Sequence, residues 1–188
     1  MPRSGAFLGV HLGSFVVQMS ASFGTAQLQN MAYEFKITRR VEFSETDMAG
    51  IVHYSNFFKY METAEHAFYR SLGFSVVAPA EVEGESVGWP RVHAECDYYR
   101  PLRFEDTVEI HLLVRELREK SIGYDFIFRR LEPEPVIEVA RGAMAVVSVV
   151  FDATLGRMRA VPLPAAIAQK MEPAPESSVP RNPQKELL

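Results

Sequence analysis

The side chains best suited to chemistry lie in one short stretch, SETDMAGIVHY, at residues 44–54. It carries two acids, Glu45 and Asp47, followed by Gly50 and His53. A carboxylate can take a proton from water as a general base, or attack a carbonyl carbon itself. A glycine lets the backbone approach a bound molecule closely. The stretch therefore indicates a loop able to support acid–base or nucleophilic chemistry.

A predicted helix follows this loop directly, over SNFFKYMETAEHAFYRSLGF. Its apolar residues recur at helical spacing and share one face, which predicts a buried helix of about 17 residues: Phe57, Met61, Ala64, Phe68 and Leu72. Ser55 suits the N-cap and Gly73 suits a left-handed C-terminal stop. Because Asp47 lies just before the helix, its carboxylate and the N–H groups of the first turn can face one small volume.

The remaining segments predict strands. YEFKITRRVE precedes the helix, and TVEIHLLVREL, IGYDFIFRR, VIEVARGAMAVVSVVF and MRAVP follow it. In WPRVHAECDYY, alternation places Val92 to Tyr98 at even positions on one face and Arg91 to Tyr99 at odd positions on the other. We predict a turn over RPLRFED and a last short helix over PLPAAIAQKM. We predict an α+β fold in which about five antiparallel strands curl around one long helix. Its open edges predict two-fold pairing of two copies.

Length and composition limit the function classes. The 188 residues fit one domain, and 20 basic against 24 acidic residues give a net charge of −4, which argues against nucleic-acid binding. The single cysteine, Cys96, excludes an intrachain disulfide, and the histidine spacing predicts no metal site. The chain body has no apolar run long enough to span a membrane, and we predict a cytoplasmic protein.

Both ends differ from the body of the chain. We place residues 1–30 outside the fold, either as sequence upstream of the true start, as a loose extension, or as a weak secretory signal. Residues 31–172 form the domain. Residues 173–188 are proline-rich, with no periodic apolar pattern, and predict a disordered tail.

The segment ETDMAGIVHYSNFFKYME, Glu45 to Glu62, resembles the signature of hotdog-fold acyl-CoA thioesterases of the 4-hydroxybenzoyl-CoA thioesterase type. In that pattern a strand ends in Asp, a Gly-containing loop follows, and an aromatic or His pair and Asn or Ser open the central helix. The similarity extends over about residues 33–171. It implies a hotdog fold, hydrolysis of an acyl-CoA to a carboxylic acid and free CoA without a cofactor, and a homodimer or dimer of dimers.

The resemblance also assigns roles to residues. Asp47 takes the position of the general base or nucleophile, and the backbone N–H of Tyr54 that of the oxyanion donor, helped by His53. Substrate-binding positions are Gly50, Ile51, Asn56, Phe57 and Glu62. Candidates for holding the CoA phosphates are Arg100, Arg103, Arg118 and Lys120.

Plainer roles remain open for most of these residues. Asp47 can be a helix-capping acid, Glu45 a solvated loop acid, His53 a structural histidine, and Glu62 a member of an ion pair. We interpret Cys96 as a buried, inert thiol. Two other functions also remain open: hydrolysis of acyl groups on a carrier protein, and a non-catalytic hotdog module that binds an acyl ligand.

Overall fold

The computed structural model describes residues 31–76, 81–82 and 85–179. Two helices lie in this part of the chain, α1 (Asn56–Ser71) and α2 (Ala165–Ala168). Nine strands accompany them: β1 (Glu34–Arg40), β2 (Glu81–Val82), β3 (Glu85–Ser86), β4 (Arg91–Tyr98), β5 (Thr107–Leu117), β6 (Ser121–Glu132), β7 (Ile137–Val147), β8 (Val149–Asp152) and β9 (Arg157–Ala160).

Five strands form one antiparallel sheet in the order β1-β5-β6-β7-β4, and α1 packs across one face. The predicted apolar stripe of α1 faces the sheet: Phe57, Met61, Ala64 and Phe68 are buried in the main core. They pack with inward-facing residues such as Ile110 and Phe126. The predicted α+β class, with about five strands wrapped around one helix, is confirmed.

Two local predictions need correction. Strand β4 pairs with β7, so RPLRFED carries the chain from one edge of the sheet to β5, beside β1 at the other edge, and is no hairpin turn. The long apolar run divides at the fully buried Ser148, whose N–H bonds to the Lys120 carbonyl at 2.9 Å. After this break β8 pairs with β9 in a separate hairpin.

Residues 173–179, expected to begin a disordered tail, instead follow a defined path. The Ala174 N–H donates to the Val114 carbonyl at 2.7 Å, and a short 3₁₀ turn covers Glu176–Ser178. The backbone therefore stays in contact with β5 beyond residue 172. The rest of the predicted tail and the whole of residues 1–30 lie outside the described residues. No helix in the described part of the chain is long and apolar enough to cross a membrane.

Strand β4 is an edge strand, and most of its residues are exposed on both faces. Val92 is 62 % exposed and Tyr98 is 45 % exposed. An eight-residue strand with apolar side chains and an unpaired backbone edge is a surface on which another strand can pair.

Candidate active site

The loop ahead of α1 is a tight hairpin. Thr46 and Val52 form an antiparallel bridge, and the Asp47 N–H bonds to the Ile51 carbonyl at 2.9 Å. Gly50 closes the turn by donating to the Asp47 carbonyl at 2.9 Å, with a φ of +70°. That φ lies in the left-handed region, which glycine enters without steric cost.

The Asp47 side chain is exposed at this turn. One carboxylate oxygen accepts the Ala49 N–H at 2.8 Å, which fixes the orientation of the group. The other oxygen has no partner among the residues that the structure describes. The carboxylate is therefore held in place by its own loop, with one oxygen available to a bound molecule.

Glu45 anchors the hairpin and is not the solvated acid expected from the sequence. Its carboxylate accepts hydrogen bonds from Arg39 at 2.5 Å and from the Tyr60 hydroxyl at 2.9 Å. Burial and the Glu45 contact both raise the pKa of Tyr60. The Glu45 carbonyl accepts a bond from the Asn56 side-chain amide at 2.7 Å and one from the His53 N–H at 2.9 Å. Glu45 thus holds together four groups that come from β1, the loop and α1.

The entry to α1 leaves one amide unbonded. The Asn56 N–H bonds to the His53 carbonyl at 2.9 Å, and His53 Nδ1 lies 2.8 Å from the Ser55 hydroxyl. Ser55 has helical backbone angles and makes no side-chain cap. No described group accepts a bond from the Tyr54 N–H. The turn just before α1 therefore has a free donor at Tyr54, close to the positive end of the helix dipole.

Asp47 and Tyr54 line the same cavity, of about 530 Å³. Its other lining residues are Ala49, Ile51, Val52, Phe57, Tyr98, Tyr99, Arg100, Pro101 and Leu102. Phe57 forms the buried floor, in edge contact with Tyr98 at 5.1 Å and Phe128 at 5.2 Å between ring centroids. The arrangement places a carboxylate, a free amide donor and an arginine around an apolar cleft.

Only some of the predicted site residues line this cavity. Asp47, Ile51, Tyr54 and Phe57 line the cavity. Gly50 shapes the adjoining turn, and its carbonyl lies 3.5 Å from an Arg103 nitrogen. The remaining predicted residues, His53, Asn56 and Glu62, are not among the lining residues.

His53, Asn56 and Glu62 have structural contacts instead. His53 bonds to Ser55, and its ring lies 4.4 Å from that of Tyr54. Asn56 is buried and bonds to Glu45. Glu62 lies two turns further along α1, in an ion pair with Arg91 at 3.2 Å. The plainer alternatives given for His53 and Glu62 match these contacts.

Sequence reasoning missed the wall contributed by the end of β4, Tyr98 to Leu102. The aromatic pair followed by Arg100 was visible in the sequence, but its distance from Asp47 along the chain gave no reason to join them. Arg100 and Arg103 do lie at this end of the sheet. Arg118 and Lys120 lie in the β5–β6 turn at the opposite end, near the start of β4.

A β-bulge also corrects the predicted faces of β4. The pairing register with β7 shifts between Arg91 and His93. Arg91 therefore points toward α1, where it bonds to Glu65 at 2.6 Å and to the Met144 sulfur at 3.1 Å. Simple alternation had placed Arg91 on the outer face.

Burial raises the pKa of the half-buried Cys96 thiol to about 12, so at neutral pH it is protonated and a weak nucleophile. No three His, Cys, Asp or Glu side chains of the described segments are grouped so that they could hold a metal ion.

Comparison with known proteins supplies the family context. Residues 41–171 match the family model described as the thioesterase-like superfamily. A protein named a putative esterase, from Aquifex aeolicus, is 40 % identical over 93 residues, which cover 50 % of this chain and 70 % of that protein. The 4-hydroxybenzoyl-CoA thioesterase of Pseudomonas sp. strain CBS-3 is 26 % identical over 136 residues, covering 72 % of this chain and 95 % of the relative. The solved structure of that thioesterase superposes with a TM-score of 0.63 over 73 % of this chain and 99 % of its own, at 26 % identity.

Proposed function

The chain belongs to the thioesterase-like superfamily, and we propose that it hydrolyses an acyl-CoA thioester with Asp47 as its catalytic carboxylate. Membership confirms the resemblance drawn from the sequence, and with it the hotdog fold and the class of thioester hydrolase. The observation that carries the finer proposal is the shared cavity. It is lined by Asp47, whose carboxylate is fixed by its own loop, and by Tyr54, whose backbone N–H has no acceptor among the described residues.

The proposed chemistry follows from these two groups. With Asp47 as general base, water attacks the thioester carbonyl carbon while the carboxylate takes its proton. The carbonyl oxygen gains negative charge and is stabilised by the Tyr54 N–H and the dipole of α1. The carbon–sulfur bond then breaks, and the CoA thiolate leaves and takes up a proton. With Asp47 as nucleophile, its oxygen attacks first, the thiolate leaves, and water hydrolyses the resulting anhydride.

The cavity also suits the shape of a CoA thioester. Its apolar floor, which includes Phe57, can pack against the thin pantetheine arm. Arg100 lies at the rim and is exposed, where it can meet a phosphate of the CoA moiety. The Pseudomonas relative is named for the hydrolysis of an acyl-CoA, which agrees with this assignment.

We propose further that the working unit contains a homodimer paired through β4. The exposed edge of β4 and its apolar side chains support this pairing. A two-fold axis perpendicular to the sheet makes the two β4 strands antiparallel. The Asp47 cavity lies beside the end of β4, so this pairing would close the cavity with the start of β4 from the second subunit. Two such dimers can assemble further into a dimer of dimers.

Thiol release from a panel of acyl-CoA substrates tests the function. Asp47→Asn and Asp47→Ala should each lower kcat by about 100-fold or more. Asp152→Asn is the matched control, because Asp152 is also a turn aspartate that accepts N–H bonds, from Thr154 at 3.0 Å and Leu155 at 2.9 Å. Full activity in both Asp47 variants would remove Asp47 from the mechanism. If carrier-protein thioesters turn over faster than CoA thioesters, the acyl carrier protein, and not CoA, carries the substrate. Binding of acyl-CoA without thiol release would indicate a non-catalytic module.

A single turnover in ¹⁸O-labelled water separates the two roles of Asp47. With enzyme in excess over acyl-CoA, a general base puts ¹⁸O into the carboxylic acid in the first turnover. A nucleophilic Asp47 delivers its own unlabelled oxygen to the product when water attacks the aspartyl carbonyl of the anhydride, and the label then appears in the protein.

A further inference from the structure

The hairpin formed by β8 and β9 lies apart from the five-stranded sheet. A bridge between Gly88 and Val149 holds its base. Three valines form a small separate core at this base: Val87, Val150 and Val161. The outer half of the hairpin, residues 151–158, takes no part in the thioesterase mechanism proposed for Asp47.

The two faces of this hairpin are the reverse of those expected for a surface strand. Phe151 pairs directly with Met158, so their side chains share one face. Val150 is buried on the opposite face, against the small core. The Phe151 face therefore points away from the core, where an antiparallel strand usually carries polar side chains. Phe151 is 61 % exposed, Met158 is 63 % exposed, and Leu155 at the turn is 58 % exposed.

The turn at the tip of the hairpin satisfies part of its own backbone. One Asp152 carboxylate oxygen accepts the Thr154 N–H at 3.0 Å and the Leu155 N–H at 2.9 Å. Gly156 has a φ of +61°, which lets the chain reverse within a few residues. Donors bonded within the turn lower the cost of moving the tip out of bulk water, because a medium poor in water offers them no other partner.

Two arginines give the hairpin a positive charge. Arg157 and Arg159 are exposed and lie on the face that does not carry Met158. Residues 149–160 contain these two arginines and one acid, Asp152, so the segment has a net charge of +1 on a chain whose net charge is −4. A basic segment on an acidic protein favours an anionic partner.

The size of the apolar face argues against a second copy of the chain as that partner. Three side chains of this kind, each about 60 % exposed, offer on the order of 300–400 Å². A stable protein–protein interface needs about 800 Å² from each partner. A lipid surface sets no such minimum, because each apolar side chain partitions into it separately and neighbouring arginines add attraction to anionic headgroups.

We propose that the β8–β9 hairpin docks the protein on the surface of an anionic lipid membrane. Phe151, Leu155 and Met158 enter the boundary between headgroups and acyl chains, and Arg157 and Arg159 contact lipid phosphates. The hairpin lies on the bilayer and does not cross it. This inference goes beyond the proposed thioesterase function and does not depend on the catalytic residues.

Co-sedimentation of the full-length protein with lipid vesicles tests the docking. Vesicles of phosphatidylcholine with about 30 % phosphatidylglycerol should bind the protein about 10-fold more tightly than pure phosphatidylcholine vesicles. Raising the salt concentration from about 0.1 M to about 0.5 M should weaken binding to the anionic vesicles about 10-fold. A wild-type protein that stays in solution with anionic vesicles at low salt would overturn the inference.

A surface variant tests the apolar part. Phe151→Ser/Leu155→Ser/Met158→Ser should bind anionic vesicles about 100-fold more weakly than the wild type. It should keep the wild-type midpoint of urea unfolding, because all three side chains are exposed. Phe43→Ser/Val136→Ser removes exposed apolar side chains elsewhere and should bind vesicles as the wild type does. Unchanged vesicle binding in the triple variant would refute the assignment of the hairpin.

Charge variants test the electrostatic part. Arg157→Glu/Arg159→Glu should remove the preference for anionic vesicles. Arg157→Lys/Arg159→Lys keeps both charges and should keep the preference. The same preference in the glutamate and the lysine variants would contradict the proposal.

Fluorescence of Leu155→Trp reports whether the tip enters the lipid. The wild type, whose single tryptophan is Trp89 at the base of the hairpin, is the blank. Emission of Leu155→Trp should shift to shorter wavelength on anionic vesicles and be quenched by brominated lipid, with a far smaller change in the wild type. Vesicle binding without this shift would place the tip outside the lipid and overturn the proposal.

Sedimentation velocity without vesicles tests the alternative occupant, a second copy of the chain. The wild type and the triple serine variant should have the same mass in solution. A smaller oligomer in the triple variant would show that this face joins two copies of the chain, and the membrane proposal would then fail.

Discussion

The hydroxyl of Tyr98 donates a hydrogen bond to the carbonyl of Tyr54 at 3.2 Å. This bond joins the edge strand β4 to the turn that opens α1, next to the one amide that the turn leaves free. We expect from this bond a positioning role for Tyr98: the residue restrains the Tyr54 backbone, whose N–H is the proposed oxyanion donor.

Tyr98→Phe should therefore lower kcat by about 10-fold, with little change in KM, because the aromatic ring that lines the cavity is retained. Steady-state kinetics on one good acyl-CoA substrate would show the split. Tyr99→Phe changes the neighbouring aromatic residue and serves as the comparison. Equal kcat values for Tyr98→Phe and the wild type would show that the turn keeps its geometry without this bond.

Gly50 offers a test of the loop conformation. Gly50→Ala places a side chain at a φ of +70°, although the nearest atom to the new Cβ is 3.9 Å away on Arg103. The cost is backbone strain of about 1 kcal/mol, without a clash. Gly156→Ala is a matched control, since Gly156 has a φ of +61° and open space around it. Both variants should lose similar stability in urea, but only Gly50→Ala should lose kcat/KM.

Packing between α1 and the sheet depends on the absence of a side chain at Gly142. A Cβ there would lie within 2.4 Å of the Met61 sulfur and 3.2 Å from the Glu95 carbonyl oxygen. Gly142→Ala should destabilise the protein by about 1–3 kcal/mol through overpacking. In a Met61→Ala background the same Gly142→Ala change should cost less than it does in the wild type, because the contact with the sulfur is gone, but some cost should remain from the backbone contact. Gly88→Ala, whose nearest contact is an ordinary 3.5 Å, should change the free energy of unfolding far less.

Glu65 should make stability depend on pH. Burial, partly offset by Arg91, raises its pKa from 4.5 to about 7 in the folded protein, with Glu62 adding to the rise. The folded state then binds the Glu65 proton more tightly than the unfolded chain does. This contribution is fully present below pH 4.5 and is lost as the pH rises through about 7, by up to about 3 kcal/mol.

Urea unfolding across this pH range would measure the effect. Glu65→Gln should flatten the fall in stability between pH 5 and pH 8 relative to the wild type, whereas Glu109→Gln should leave it unchanged. The assignment would be contradicted if the free energy of unfolding changed with pH in the same way in the wild type and in Glu65→Gln.

Arg100 is expected to contribute to substrate binding and not to the chemical step. Arg100→Ala should raise KM for acyl-CoA by about 10-fold at low salt and leave kcat unchanged. An acyl thioester of N-acetylcysteamine, which lacks the phosphates of CoA, should show no such change. Arg157→Ala removes an exposed arginine from the distal β8–β9 hairpin and is the charge-matched control. A rise in KM for both thioesters would show that Arg100 contacts the acyl or pantetheine part of the substrate and not the phosphates.

The sequence alone determined the features that repeat locally. Helical spacing from Phe57 to Phe68 specified the buried face of α1, and alternation specified β5 as Thr107–Leu117. The motif around Asp47, with Gly50 and the aromatic helix entry, was sufficient to identify the family. These features are readable because each depends on residues within a few positions of one another.

The tertiary structure decided the contacts that are distant in sequence. Pairing of β4 with β7 brought Tyr98 and Arg100 to Asp47, and a bulge turned Arg91 toward α1. The burial that shifts the pKa of Glu65 exists only after helix and sheet have closed over it. No local pattern encodes these relations, because a bulge changes which face a residue occupies and burial depends on everything packed around the side chain.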